Sequence, residues 1–413
     1  MATDDDAEAT RPQEVGIADA MALARKLQDE ARMEAADELY RRVLAVAPDY
    51  PDALNFRGVV AFQLGRTDDA EALMRRAIEL APGYADAYSN LGNAYQQQKR
   101  YEDALACYER AIGLRPDMAD AHFNLGKALE ALDRHPEALT AFRRAVQLRP
   151  FHFDSYRRLG AMLYASNRVD EAADVYRTWL SLDPNSPVAR HLLAACTGQA
   201  VPSRASDACV RTMFEAFAES FDEVLARLQY RAPALVAQAA AEVMGPPEAR
   251  LEILDAGCGT GLCAERFKPY ARRLVGVDLS REMLKRAGTR KLYDELVLGE
   301  LTAYVGAMPG AWDHIVSADT LVYFGDLAPV MAAACRGLRP GGHLVFTLER
   351  VDEGDAPQGF KINPHGRYSH TESYVRRVLA AAGLEARQVT RVHLRLELNK
   401  PVEGLLVGAS RDA

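Results

Sequence analysis

Five prolines stand at one spacing, Pro48, Pro82, Pro116, Pro150 and Pro184, each 34 residues after the last. Gly58, Gly92, Gly126 and Gly160 keep the same step, as do Ala70, Ala104, Ala138 and Ala172. A fixed period of this length marks stacked supersecondary units, each unable to bury its apolar face alone, and 34 residues fit one helix–turn–helix. The front half therefore reads as a scaffold. Chemistry is to be sought in the back half, where the run from Leu254 to Gly261 (LDAGCGTG) is the next informative feature.

The chain has 413 residues, 49% of them hydrophobic and 26% charged, as expected of a globular protein with two or three domains. Its net charge is −8 and it has no Lys/Arg run, so a nucleic-acid partner is not expected. There is no stretch of about 18 uncharged apolar residues, so no spanning helix and no membrane partner are expected. The acidic start, MATDDDAEATRPQE, has no apolar leader segment, and residues 1–16 are expected to form a disordered tail. The six cysteines are scattered without a C-x-x-C pair, which points to reduced thiols in a cytoplasmic protein and to no metal site.

Aligned on the prolines, the repeats run over 17–50, 51–84, 85–118, 119–152 and 153–186. The third carries Tyr88, Leu91, Gly92, Tyr95, Ala104, Tyr108, Ala111 and Pro116, and resembles the tetratricopeptide consensus nearly position for position. The glycine and the first repeated alanine mark where the two helices cross closely. Tyr108, Phe142 and Tyr176 are expected to fill the gap to the next unit. Residues 186–198 read as one extra capping helix, giving an all-α solenoid over 17–198. The third and fourth repeats look most like the array of O-linked N-acetylglucosamine transferase. That resemblance implies that Asn90 and Asn124 grip the backbone of a protein or peptide partner on the concave face. Homo-oligomerisation is the other role open to the repeats.

After a linker over 199–207, residues 208–244 read as two helices broken near Arg231-Ala232-Pro233. Strands and helices then alternate through 251–411, which argues for a parallel, doubly wound α/β sheet with its ligand at the carboxyl ends of the strands. A dinucleotide fingerprint would need glycine where Leu262 stands. The spacing of Gly257, Gly259 and Gly261 behind Asp255 instead resembles the first motif of class I S-adenosylmethionine-dependent methyltransferases. Further motifs follow in that family's order: Asp278-Leu279 closing VGVD, the helix start SREMLKRA with Met283, Gly299-Glu300-Leu301, the run from Ser317 to Tyr323, and the turn Leu338–Gly342.

The resemblance implies a Rossmann-like domain of seven strands that binds S-adenosylmethionine. Asp255 and the three glycines would wrap the methionine part, Asp278 would accept the ribose hydroxyls, Met283 would pack on the adenine face, Glu300 would accept from its amino group, and Leu279 and Leu301 would be further cofactor contacts. Ala318 and Asp319 fall beside the methyl group. The helices over 208–250 are placed to form a lid, with Phe221, Tyr230 and Arg231 as cofactor contacts. Tyr323, Arg367 and Tyr368 are expected to hold the methyl acceptor. His370, on a loop before a helix at 371–383, is the candidate base, with Glu349 second. The resemblance implies an acceptor that is an oxygen or nitrogen nucleophile on a small molecule, a carrier-bound group or a peptide. A protein-interaction scaffold with an inactive methyltransferase module is the alternative.

Overall fold

A computed structural model of the protein describes residues 16–397 and 400–412. The expected tail lies outside the described residues, apart from Gly16, which precedes the first helix. The chain divides into two compact units, Met1–Met162 and Leu163–Ala413.

The first unit is a run of paired helices: α1 (Ile17–Asp29), α2 (Met33–Val46), α3 (Pro51–Gln63), α4 (Thr67–Leu80), α5 (Ala85–Gln97), α6 (Tyr101–Leu114), α7 (Ala119–Ala131) and α8 (His135–Leu148). A ninth, α9 (Phe153–Ala165), begins in it. The pairing follows from where the small residues lie. Ala70, Ala104 and Ala138 are fully buried, and a Cβ on Gly126 would come within 2.6 Å of the Phe142 ring. Tyr108 sits in the same way over Gly92. Tyr108 and Phe142 thus press on the glycine of their own helix pair, and Tyr108 also shares a buried cluster with Ala128 of the next pair. A glycine leaves a hollow in one helix, and the ring from its partner is what fills it.

The second unit opens with the end of α9, then α10 (Val169–Leu182) and α11 (Pro187–Thr197). The side chain of Ser186 caps α11 by accepting the Ala189 N–H, and Gly198 ends it in the left-handed region. Three helices follow where two were expected: α12 (Asp207–Phe217), α13 (Phe221–Arg227) and α14 (Ala232–Met244). Only α12 and α13 lie over the cavity described below. The apolar α14 buries Val236, Ala240 and Met244 against Ile253 and Phe267, so it belongs to the core layer and not to a lid.

The sheet is built from β1 (Leu251–Ala256), β2 (Ala271–Asp278), β3 (Glu295–Leu298), β4 (Trp312–Ser317), β5 (Leu338–Arg350), β6 (Phe360–Ile362), β7 (Tyr368–His370), β8 (Leu384–Glu397) and β9 (Lys400–Arg411). Between them run α15 (Ala264–Phe267), α16 (Arg281–Thr289), α17 (Leu301–Gly306), α18 (Ala328–Gly337) and α19 (Glu372–Ala381). Strands β3, β2, β1, β4 and β5 lie parallel in that order, and β9 joins β5 antiparallel with β8 beyond it. The short hairpin β6–β7 is attached to the carboxyl end of β5, with Glu349 opposite Ser369 and Arg350 opposite His370. Tyr368 and His370, expected on a loop, are therefore strand residues. Strand β1 is buried along its whole length, as a central parallel strand covered on both faces should be. No helix among the described residues is long and apolar enough to cross a membrane.

Gly126→Ala places a methyl group inside the Phe142 ring contact. It is expected to lower stability by about 1–3 kcal/mol, the usual range for overpacking. Thermal unfolding of the variant checks this, and an unchanged transition would show that Phe142 has room to withdraw.

Candidate active site

The carboxyl ends of β1, β2 and β4 carry Gly257, Asp278 and Ala318, and all three border one cavity of about 260 Å³. The loop after β1 turns back sharply, with Gly257, Gly259 and Gly261 all at positive φ. A Cβ on Gly257 would fall 2.2 Å from the Thr320 hydroxyl, so only glycine lets these two loops meet. Asp278 accepts the Gly259 N–H at 2.9 Å and the Ser280 N–H at 2.8 Å. Burial pushes its carboxyl up against the pull of those donors. Leu279, Glu300 and Leu301 complete this end of the cavity. Glu300 also caps α17, accepting the Thr302 and Ala303 N–H groups at 3.0 and 2.7 Å.

Over the cavity lie Phe214 and Phe217 of α12, Phe221, Val224 and Leu225 of α13, and Leu228 and Tyr230 beyond it. The rings of Phe214 and Phe221 meet edge to face at 6.0 Å. Asp222 ties α13 to the glycine loop, accepting the Thr260 hydroxyl at 2.5 Å and Arg290 Nη2 at 2.6 Å. The backbone around Tyr230 is held to β8 by Leu396 N–H to Leu228 C=O at 2.7 Å and Arg231 N–H to Leu394 C=O at 2.8 Å.

The far end of the cavity is charged. Arg395 donates from Nη1 to Asp319 at 2.5 Å, from Nε to Glu397 at 2.7 Å, and from Nη2 to Glu349. Arg367 donates from Nε to Glu349 at 2.6 Å and from Nη2 to both oxygens of Glu397, at 2.5 and 2.8 Å. Burial acts to raise the Glu349 carboxyl, but Arg367, His365 and Arg395 overcome it and hold it down at about 2. Burial lowers His365 to about 4, reinforced by Arg367, so the ring is neutral near pH 7. Asp319 is raised by burial despite Arg395, and its backbone is in the left-handed region at φ 55. A non-glycine residue held there is a local strain of the kind that surrounding contacts must enforce.

Of the residues singled out from the sequence, Gly257, Gly259, Asp278, Leu279, Glu300, Leu301, Ala318, Asp319, Phe221, Tyr230, Tyr323 and Arg367 border the cavity. Others stand elsewhere. Asp255 is buried beneath the loop and accepts the Tyr293 hydroxyl at 2.6 Å. Gly261 packs beside Tyr293 and Arg290, and Met283 is 1% exposed inside the core. Arg231 serves through its backbone at the start of α14. Tyr368 is fully buried and donates its hydroxyl to the Pro202 carbonyl at 2.7 Å.

The candidate base needs correction. His370 is fully buried, stacked on Tyr374 at 5.9 Å, with Nε2 3.1 Å from the Gly325 carbonyl. Burial lowers it to about 4, and it does not border the cavity. Glu349, the second candidate, is held as an anion between two guanidinium groups and does not border the cavity either. In the repeats, Asn90 and Asn124 donate to Asn55 and Asn93 at 3.1 and 3.0 Å, so part of their amide capacity is used between neighbouring units.

Sequence reasoning missed Arg395, Glu397, Asp222 and Arg204, all of which border or latch the cavity. Nothing local marks them. Arg395 reads as an ordinary polar residue of an edge strand, and its partner Asp319 is 76 residues away.

A glycine loop after the first strand, an acid closing the second, and a lidded cavity over the carboxyl ends of a parallel sheet define the class I methyltransferase architecture. The comparisons agree. A methyltransferase-domain family model matches residues 254–346, and tetratricopeptide-repeat models match 50–117, 89–153 and 137–187. A ubiquinone biosynthesis O-methyltransferase of Thiobacillus denitrificans is 32% identical over 162 residues, 35% of this chain and 68% of that protein. The biotin biosynthesis bifunctional protein BioHC of Saccharophagus degradans is 29% identical over 129 residues, 29% of this chain but 23% of that one. Among solved structures, MamA is 23% identical with a TM-score of 0.36, covering 39% of this chain and 95% of its own. The chain belongs to the methyltransferase family, with tetratricopeptide repeats ahead of the methyltransferase domain.

Two substitutions test the site's electrostatics. Arg395→Gln leaves Asp319, Glu349 and Glu397 facing Arg367 alone. It is expected to cost about 3–5 kcal/mol, as for breaking a buried pair from one side, read by denaturant unfolding. Burial pushes the Asp255 carboxyl up to about 7, against the hydrogen bond from Tyr293 and with Asp278 adding to the rise. Unfolded, the group ionises near its ordinary 3.8. Between those values the folded protein alone keeps the proton, so this group makes stability rise as pH falls from about 7 towards 4. Asp255→Asn should remove that slope, checked by unfolding across the same window.

Proposed function

We propose that the protein transfers a methyl group from S-adenosylmethionine to an oxygen or nitrogen nucleophile, and that its repeats recruit a protein or peptide, either the substrate itself or a carrier of it. The observation carrying this reading is Asp278. Its carboxylate stands at the cavity wall, oriented by N–H groups of the glycine loop and of the following helix, where it can accept a diol. The residues fit the rest of the cofactor: Gly257 and Gly259 leave room for close approach, Leu279 and Leu301 offer apolar faces, and Glu300 retains acceptor capacity beyond its capping bonds. Bound there, S-adenosylmethionine supplies a methyl group already activated as a sulfonium.

The chain's own residues then have to orient the acceptor and exclude water. Phe214, Phe217 and Phe221 close the top of the cavity, while Tyr323, Arg367, Asp319 and Glu397 face its charged end. Held in one geometry by Arg395, these groups can align a nucleophile, and alignment of this kind is worth up to about 7–11 kcal/mol. Oxygen is favoured as the nucleophile by the named activity of the first relative. On this reading residues 17–198 recruit, 208–231 cover and 251–411 catalyse, and tethering raises the local concentration of whatever the repeats hold. The unpaired thiols of all six cysteines suit a cytoplasmic setting.

Calorimetry with S-adenosylmethionine and S-adenosylhomocysteine tests the reading. The wild type is expected to bind both, and Asp278→Ala to weaken each by about 1.5–3 kcal/mol, the range for hydrogen bonds to a charged group. No binding by the wild type would overturn the cofactor assignment and favour a scaffold with an inactive module. Labelled-methyl transfer into a lysate, followed by mass identification, then finds the acceptor.

A further inference from the structure

We infer that His191, on the helix α11 that follows the last repeat, is a positioning residue for Arg367, so that α11 forms part of the outer wall of the transfer site. The inference rests on the reading of the cavity given above.

Arg367 reaches the cavity from the turn between β6 and β7. The turn closes on itself, with Gly366 N–H to Asn363 C=O at 2.7 Å and Asn363 N–H to Arg367 C=O at 2.8 Å. Its inner side is anchored by the Arg367 guanidinium on Glu349 and Glu397. Its outer side rests on helices. His191 is 4% exposed and donates from Nε2 to the Gly366 carbonyl at 2.7 Å, one residue before Arg367. A Cβ on Gly366 would lie 3.3 Å from both His191 and Leu192. The His191 ring is 6.2 Å from Tyr368, and the Tyr164 ring is 5.8 Å from His365, so residues on both sides of Arg367 are braced from the same direction.

The chemistry of the contact is definite. A carbonyl accepts only, so His191 carries its proton on Nε2, and its buried Nδ1 has no partner among the described residues. Burial lowers the ring's pKa, which keeps it neutral and the tautomer single. The bond fixes the backbone from which a long, rotamer-rich side chain departs. Arg367 shares Glu349 and Glu397 with Arg395, and such paired geometry tolerates little displacement. No other role in the proposed function needs a histidine at this place on a capping helix.

The test uses the full chain labelled with ¹⁵N-arginine, reading hydrogen exchange of the Arg367 Nε–H, assigned by its loss in Arg367→Lys. His191→Ala is expected to speed that exchange by about tenfold, the equivalent of one buried hydrogen bond. His191→Gln, whose amide nitrogen can donate to the same carbonyl, is expected to restore it. S-adenosylhomocysteine affinity, measured by calorimetry, is expected to be unchanged in both. A folded His191→Ala protein with unchanged Arg367 exchange overturns the inference, as does a folded His191→Gln protein that keeps fast exchange. If the alanine variant does not fold, His191→Leu, which fills similar space but cannot donate to the carbonyl, takes its place and is expected to show the same roughly tenfold faster exchange. Failure of the wild type to bind S-adenosylhomocysteine would overturn the transfer-site reading while leaving the Arg367 result intact.

Discussion

Arg395 is 4% exposed in its side chain and sits among three carboxylates from three different segments: Asp319 after β4, Glu349 at the end of β5 and Glu397 at the end of β8. Taking such groups out of water is costly unless each is paired with good geometry. The cost therefore acts as a selector: a backbone arrangement that left one of these carboxylates unpaired would be several kcal/mol worse. Arg367 adds a second cation on Glu349 and Glu397, so the two arginines hold one arrangement of the charged end of the cavity. The left-handed backbone of Asp319 becomes intelligible here. Its N–H donates to the Thr347 hydroxyl at 2.9 Å while its carboxylate is held by Arg395, and together these enforce a conformation the residue would not choose alone.

The same logic explains why the stretch before α12 is well placed although it has no regular structure. Ser203 accepts the Gly325 and Asp326 N–H groups at 2.8 Å each, Ala205 N–H donates to Tyr323 C=O at 2.8 Å, and Tyr368 donates to Pro202. A segment of linker composition is thus stitched to the loop that carries Tyr323. Buried backbone groups without a helix or strand must find partners, and here those partners are the edges of the cavity. His370 belongs to this system: its contact with the Gly325 carbonyl supports the loop from below.

What could be read from the sequence follows the range of the interactions. The repeats depend on contacts between adjacent helices, so a 34-residue period reveals helices, turns and the small residues at their crossings. The glycine-loop end of the cavity is also local, because that loop, Asp278 and Glu300 each sit at the end of one strand and are recognisable from neighbours. The charged end is not. Arg395, Asp319, Glu349 and Arg367 come from four places in the chain, and only the sheet order brings them together. The break of α12 from α13 around Ala218–Ser220 was also invisible, since apolar spacing continues through it from Phe217 to Phe221.

Periodicity and compactness mark different boundaries. The repeats continue in sequence to residue 186, and α11 follows, yet the division between compact units falls at Met162, inside α9. The last repeat helix and its cap are thereby grouped with the α/β sheet. The reason is physical. A terminal repeat has an apolar face with no further repeat to cover it, and α11 meets that need on one side while offering His191 and Leu192 to the β6–β7 turn on the other. One helix thus ends a periodic structure and begins an aperiodic one. Its sequence carries both requirements: Val188 and Ala189 are buried apolar residues, and His191 is a buried donor that no cap would need for packing alone.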